Sequence, residues 1–329
     1  MNEFKNNYLL SLFEGILTLL AFSSPLIFYQ KRTFVEFTVI AGRIFATIFP
    51  MVVIVCLGYL YARKKPTNMA IVNNLNIDVF IPVLIFSVLS AKSFEILSLQ
   101  SLAYASAIVV IGSGVILYPL CKFLKVDAKT FIPPMMFNNS GNLGLPLLLL
   151  AFGENALNAA VVLFIVEMFL HFTLGIYILD RKMNPLKALK LPMILATFAG
   201  LLFSSFNIQL PEIMKVPLDM MGKICIPLML FALGVRMIDI DFSTWKVGLW
   251  GAVLAPASGI LIAIPIGSIL QLSTEHFAYL IVFAALPPAL LNYMIAEKYQ
   301  QQPAQVASIV LIGNISSLAI MPLVLYFVL

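Results

Sequence analysis

Asn138, Asn139, Ser140 and Asn142 stand together in the run Phe-Ile-Pro-Pro-Met-Met-Phe-Asn-Asn-Ser-Gly-Asn-Leu-Gly-Leu-Pro-Leu-Leu-Leu-Leu-Ala-Phe-Gly (131–153), which carries no charge. Their amides and hydroxyl can donate hydrogen bonds to a carboxylate without presenting a fixed cation. Pro133, Pro134, Gly141, Gly144 and Pro146 share the run. Proline removes a backbone donor and crowds the preceding turn, and glycine is a weak helix former. A helix here is expected to unwind at Asn139–Gly144. A second run, 277–299, places Pro287-Pro288 at its middle and Asn292 just beyond. An interrupted helix exposes terminal N–H and C=O groups with partial dipole charge, and the N-terminal ends attract anions. Neutral donors would hold an anion loosely enough to release it, whereas a buried Lys or Arg would bind tighter and slow turnover. The plainer alternative is that these asparagines satisfy freed backbone groups or join helices. Their clustering inside a Pro/Gly break, repeated at a second break, favours binding.

Glu167 and His171 are four apart in another apolar run, hence on one helix face. Such groups inside an apolar span are costly and face the interior of a bundle. They suit a proton relay, or simply a mutual hydrogen bond. A metal pair is disfavoured, because His276 is the one other histidine and no ligand spacing accompanies it. No metal or cofactor is expected. Cys56, Cys121 and Cys225 have no CxxC spacing and read as small core residues.

The composition says what must position these groups. The chain has 329 residues, 61% hydrophobic and 11% charged, with mean hydropathy +1.02. Soluble domains carry about a quarter charged residues, so a soluble fold is excluded. The apolar residues form long runs and do not alternate, which excludes an outer-membrane barrel. The expected class is an all-α polytopic membrane protein. The runs fall at 8–28, 41–61, 71–91, 100–120, 131–152, 158–179, 189–206, 213–235, 246–271, 277–296 and 304–328. The first, with Glu14, Pro25 and the following Lys31-Arg32, is set apart as an N-terminal segment (1–37) that is an extra span, a surface helix or a signal-like stretch. The other ten are read as membrane spans. Thirteen basic residues fall in the loops after odd-numbered spans and two, Lys92 and Lys215, after even-numbered ones. The positive-inside rule therefore makes the odd loops cytoplasmic. The formal charge of +5 reflects those loops and not nucleic acid.

The two halves match in register. Pro50 and Gly58 pair with Pro192 and Gly200; 78–86 pairs with 223–231; Pro119 with Pro265; Pro133-Pro134 and Asn138 with Pro287-Pro288 and Asn292. Five spans is an odd number, so the second copy is inverted, as in many secondary transporters. The expected division is a first repeat over 38–182 and a second over 183–329. Interrupted spans at matched positions point to a transport site.

Asn-Ser-Gly-Asn-Leu-Gly-Leu-Pro-Leu-Leu (139–148) followed by Phe-Gly (152–153) resembles the first crossover of the auxin efflux carrier family. Ala-Leu-Pro-Pro (285–288) running into Ala-Glu-Lys-Tyr (296–299) resembles the second. Gly-Tyr-Leu-Tyr-Ala-Arg-Lys (58–64) and Ile-Pro-Leu-Met-Leu-Phe-Ala-Leu-Gly (226–234) resemble its first and seventh helices. The resemblance covers about 41–329. It implies ten helices with two crossing broken ones, as in bile acid symporters and sodium/proton antiporters. It implies a scaffold of spans 1, 2, 6 and 7, and an elevator-like transport domain of spans 3–5 and 8–10. It also implies a homodimer, a bacterial inner-membrane location, and roles at the crossover for Asn139, Pro146 and Pro287. Unlike the plant members, the chain has a short loop at 180–188, and auxin is not inferred as substrate.

The reading is a secondary transporter of a small organic anion, a mono- or dicarboxylate, coupled to a proton or sodium. Asn138, Asn139, Ser140, Asn142 and Asn292 are the expected substrate ligands, and Glu167 and His171 the expected proton-coupling pair. A sodium-coupled carrier like the bile acid symporters is the runner-up. A membrane sensor would need an effector domain, and an intramembrane enzyme would need a motif such as HExxH or GxSxG, neither of which occurs.

Overall fold

The computed structural model describes residues 34–65, 67, 69–91, 96–182, 184–239 and 244–329. The run at 8–28 lies outside the described residues, as does most of the 1–37 segment. The described chain is helical, and its one β-type contact is an isolated antiparallel bridge between Asn138 and Pro288.

Twelve helices follow in order among the described residues. They are α1 Phe34–Lys64, α2 (70–89), α3 Ile96–Leu124, α4 Ala128–Met136, α5 Ser140–Phe152, α6 Asn155–Leu179, α7 Pro192–Ser205, α8 Glu212–Arg236, α9 Trp245–Ile269, α10 Thr274–Ala284, α11 Leu290–Lys298 and α12 Pro303–Val328. Seven of them (α1, α2, α3, α6, α8, α9 and α12) are long and apolar enough to cross a membrane. At about 1.5 Å per residue, helix α7 reaches only about 21 Å. The expected fourth and ninth spans are each two short helices, α4/α5 and α10/α11.

Local chemistry sets these boundaries. The Asp127 carboxylate caps α4, accepting from the N–H groups of Lys129 (2.7 Å) and Thr130 (3.3 Å). Ser273 caps α10 through the N–H of His276. Gly153, at φ 83°, ends α5 in a conformation that disfavours a side chain. Wide π-helical turns interrupt α2 at Asn76–Phe80, open α5 at Ser140–Gly144, and interrupt α6 at His171–Gly175. Such turns recur at functional sites, because the extra residue turns side chains out of helical register.

The helices pack as two groups. Helix α1 lies along α8, and α2 lies between α7 and α8. Helix α3 packs on α4, α6 and α9, and α9 packs on α12. Two glycines bring α1 and α8 into backbone contact: a Cβ on Gly58 would strike the Phe231 carbonyl, and one on Gly234 would strike the Val55 carbonyl. Small residues permit this approach where lipid gives no hydrophobic drive between helices. Phe45, Phe49, Val115, Phe198 and Leu323 remain exposed, an outer surface suited to hydrocarbon.

Helix ends gather alternately. Lys129 Nζ reaches the carbonyl of Leu179, Thr130 bonds Gln302, and Thr244 bonds Ser308. The connections after α3, α6, α8 and α11 thus meet at one end of the molecule. They carry the basic residues assigned above to the cytoplasm.

Candidate functional site

The first break falls at Phe137–Asn139. Phe137 is extended (φ −103°, ψ 104°), and Asn139 lies off the helical region (φ −85°, ψ 52°). The sequence reading centred the break on Asn139–Gly144. Gly141, Gly144 and Pro146 instead belong to α5, its π-helical first turn keeping them wound. Pro146 stands where the π-helical turn passes into the α-helical part of α5, Leu145–Phe152. Pro133 and Pro134 lie inside α4. The second break holds Pro287 and Pro288 as expected, between α10 and α11. The register that paired Pro133-Pro134 with Pro287-Pro288 therefore does not superpose the two breaks.

The breaks meet and satisfy one another. The N–H of Asn139 donates to the Pro287 carbonyl (2.7 Å), and that of Ala289 to the Phe137 carbonyl (2.9 Å). Asn138 Nδ2 donates to the Phe283 carbonyl (2.7 Å). Asn139 Nδ2 donates to Asn314 Oδ1 (2.8 Å), and Asn314 Nδ2 donates to the carbonyls of Pro288 (3.0 Å) and Val310 (2.7 Å). Asn292 Nδ2 donates to the carbonyls of Phe137 (2.8 Å) and Ala289 (3.0 Å). Unwound backbone survives at membrane depth only with such partners.

Against this crossing lies a cavity of about 110 Å³. One wall comes from the first helix group: Asn73, Asn76 and Ile81 of α2, Met193 of α7, Met229 and Arg236 of α8. The facing wall comes from the second: Asn138, Asn139, Gly141 and Asn142 at the first break, Phe164, Glu167 and Met168 of α6, and Leu290, Leu291 and Met294 of α11. Two helix N-termini, those of α5 and α11, open on this space. Their first-turn N–H groups and the Arg236 guanidinium give it a positive side, with apolar and methionine surface around it.

Three predicted ligands, Asn138, Asn139 and Asn142, line the cavity. Ser140 does not; its hydroxyl donates to Glu167 Oε2. Asn292 does not either. It lies behind the crossing, beside a second and smaller cavity, and its amide ties the two breaks together. The broken segments bring no charge to the cavity; Arg236 of α8 and Glu167 of α6 bring it from other helices. Arg236 is one of the thirteen basic residues that the sequence puts in loops, but α8 continues to it and carries it to the cavity wall. Asn73, Asn76 and Asn314 were not singled out. Their signal was an amide inside an apolar run.

Glu167 and His171 are each 1% exposed, with Glu167 Oε1 and His171 Nδ1 3.7 Å apart. That is too long for the mutual hydrogen bond considered above. The imidazole instead stacks on the Phe137 ring, centroids 4.2 Å apart and planes 7° apart.

The family model for membrane transport proteins matches residues 43–185 and 180–325. An uncharacterized transporter of Methanocaldococcus jannaschii is 23% identical over 295 residues, covering 83% of this chain and 95% of that protein. With its interrupted helices and its auxin-efflux-carrier-like crossover motifs, the chain belongs to the membrane transport protein family and is a multi-pass membrane transporter.

Proposed function

We propose that the protein is a secondary carrier of a small organic monoanion with an apolar body, working by elevator-type alternating access. The observation that carries this is the position of the cavity. It lies where the two helix groups face each other, at the crossing of both breaks, with a guanidinium, amide donors and two helix N-termini on otherwise apolar walls. A guanidinium and neutral donors in the wall fit a carboxylate, and the Met, Phe and Leu surface fits its hydrocarbon part. The group of α1, α2, α7 and α8 is the scaffold; α3–α6 and α9–α12 move against it. Ten spans in two inverted five-span repeats, 38–182 and 183–329, suit this division. The family-matched stretches meet at 180–185, near the boundary of those repeats. The cavity wall includes the ends of α2 and α8 that carry the basic loops, so the positive-inside rule makes this an inward-facing arrangement. The family resemblance supports a homodimer, each scaffold bearing on its partner.

The test is binding and uptake by the purified protein. Thermal stability is measured with benzoate, isovalerate, malate and malonate, followed by uptake of the labelled acid into proteoliposomes. Stabilisation by a monocarboxylate, lost in Arg236→Gln, is expected. No stabilisation and no uptake for any acid overturns the reading.

One observation favours a second reading, a sodium-coupled carrier. Asn76 Oδ1, Asn138 Oδ1 and Glu167 Oε1 are buried acceptor oxygens without hydrogen-bond partners, and all three residues line the one cavity. Oxygen donors suit a hard cation. Uptake that requires sodium, and fails in potassium or choline, would establish it.

A further inference from the structure

Glu167 faces the substrate cavity, and His171, one turn further along α6, faces the second cavity on the other side of the crossing. That second space is about 10 Å³, close to the room that one water molecule needs. Its wall is formed by Lys129 and Thr130 at the start of α4, Leu179 at the end of α6, Ala296 of α11 and Val306 of α12. These are ends at the face where the basic loops gather. The two cavities therefore share one side of the molecule, and the Glu167–His171 pair lies between them.

We propose that Glu167 binds the proton that travels with the anion, and that His171 passes this proton to the face by way of the second cavity, separate from the substrate. This rests on the carrier reading above and specifies its coupling. An ionised Glu167 in the wall of an anion site repels the anion, whereas a protonated one does not. Anion and proton thus occupy the site together. The Ser140 hydroxyl donates to Oε2. That leaves Oε1 as the oxygen turned to His171, with neither it nor Nδ1 otherwise hydrogen-bonded.

Relay requires the 3.7 Å gap to shorten by under one ångström to hydrogen-bond length. The O–H bond at Oε1 then breaks as an N–H bond forms at Nδ1, leaving carboxylate and imidazolium. The Nε2–H bond breaks in turn, its proton going to water and its electron pair staying on nitrogen. The neutral ring then carries its proton on Nδ1, and the same steps run in reverse reset it: water protonates Nε2 as the Nδ1–H bond breaks and its proton returns to Oε1, while the ring stays stacked on Phe137. Asn292 faces the same imidazole from α11. Besides the pair itself, the charged groups lining the two cavities are Arg236 of α8 and Lys129 of α4. Among the described residues, no ionisable side chain of α2, α3, α7 or α10 lines either one.

The experiment uses proteoliposomes of the full chain and labelled benzoate, isovalerate, malate and malonate, with protein-free liposomes subtracted. Two fluxes are read: net uptake with and without an inward pH gradient, and exchange at equal concentrations and equal pH. In the wild type the gradient should raise net uptake at least tenfold. In Glu167→Gln the ratio of uptake with the gradient to uptake without it should fall to about one, read against that variant's own exchange rate. In His171→Gln exchange should persist, with net uptake slowed about tenfold. If Glu167→Gln does not fold, His171→Gln carries the test alone. Ala296→Leu, which fills the second cavity, should slow net uptake but not exchange. Gradient-driven uptake unchanged in both pair variants overturns the proposal, as does wild-type uptake driven by sodium and indifferent to pH. Absence of any flux in the wild type overturns the carrier reading itself.

Discussion

The main-chain N–H of Asn139 is bonded to the carbonyl of Pro287 at 2.7 Å, joining two interrupted spans that are far apart in sequence. Each break leaves backbone groups bare at membrane depth, and each supplies what the other lacks. The two breaks therefore hold each other in place, and residues that brace them are expected to govern stability more than affinity.

Asn314 is such a brace. It is buried, accepts from Asn139 and donates to the Pro288 carbonyl. Asn314→Leu strands the Asn139 amide and the Pro288 carbonyl. Each buried orphan costs about 1–3 kcal/mol. The melting temperature in detergent should fall by several degrees, measured by tryptophan fluorescence or light scattering.

Asn142 and Asn292 should part company. Asn142 is half-buried in the cavity wall, whereas Asn292 donates to the carbonyls of Phe137 and Ala289 outside it. Asn142→Ala should weaken anion affinity about tenfold, worth one hydrogen bond of about 1 kcal/mol or slightly more, with melting temperature nearly unchanged. Asn292→Ala should lower the melting temperature. Thermal shifts with and without the stabilising carboxylate separate the two outcomes.

Arg236 should set affinity. A hydrogen bond to a charged group contributes about 1.5–3 kcal/mol, so Arg236→Gln should raise KM roughly 10–100-fold. Arg236→Lys keeps the charge but loses the planar fork of donors, and should recover only part of the affinity. Concentration-dependent uptake measures both.

Gly234 should not tolerate a side chain. Its Cβ position collides with the Val55 carbonyl and lies 2.9 Å from the Tyr59 nitrogen, all of them backbone atoms that cannot swing aside. Gly234→Val should separate α1 from α8 and abolish folded protein on size-exclusion chromatography. Gly42→Val, where nothing lies within 4 Å of the added carbon, should be silent.

Most helices were legible because their causes are local. The runs at 213–235 and 304–328 became Glu212–Arg236 and Pro303–Val328, since a stretch of apolar residues in hydrocarbon has few alternatives to a helix. Pro287-Pro288 marked the second break because two missing N–H groups cannot be hidden. The first break was misplaced by a few residues. Glycines at 141 and 144 permit unwinding without requiring it, and the pairing of Asn138 with Pro288 fixes where the chain leaves the helix.

The residues alone determined a membrane-spanning helical chain, its two interruptions and the Glu167–His171 pair on one face, because hydropathy, proline and helical periodicity act over a few residues. Which polar groups share a space was decided by the fold. Arg236 lines one cavity with Asn139 and Glu167, which come from the other helix group, and Asn292 lies outside that space and holds the crossing. Such neighbourhoods depend on how distant helices dock and on which buried amide must satisfy which carbonyl. No stretch of the chain contains that information by itself.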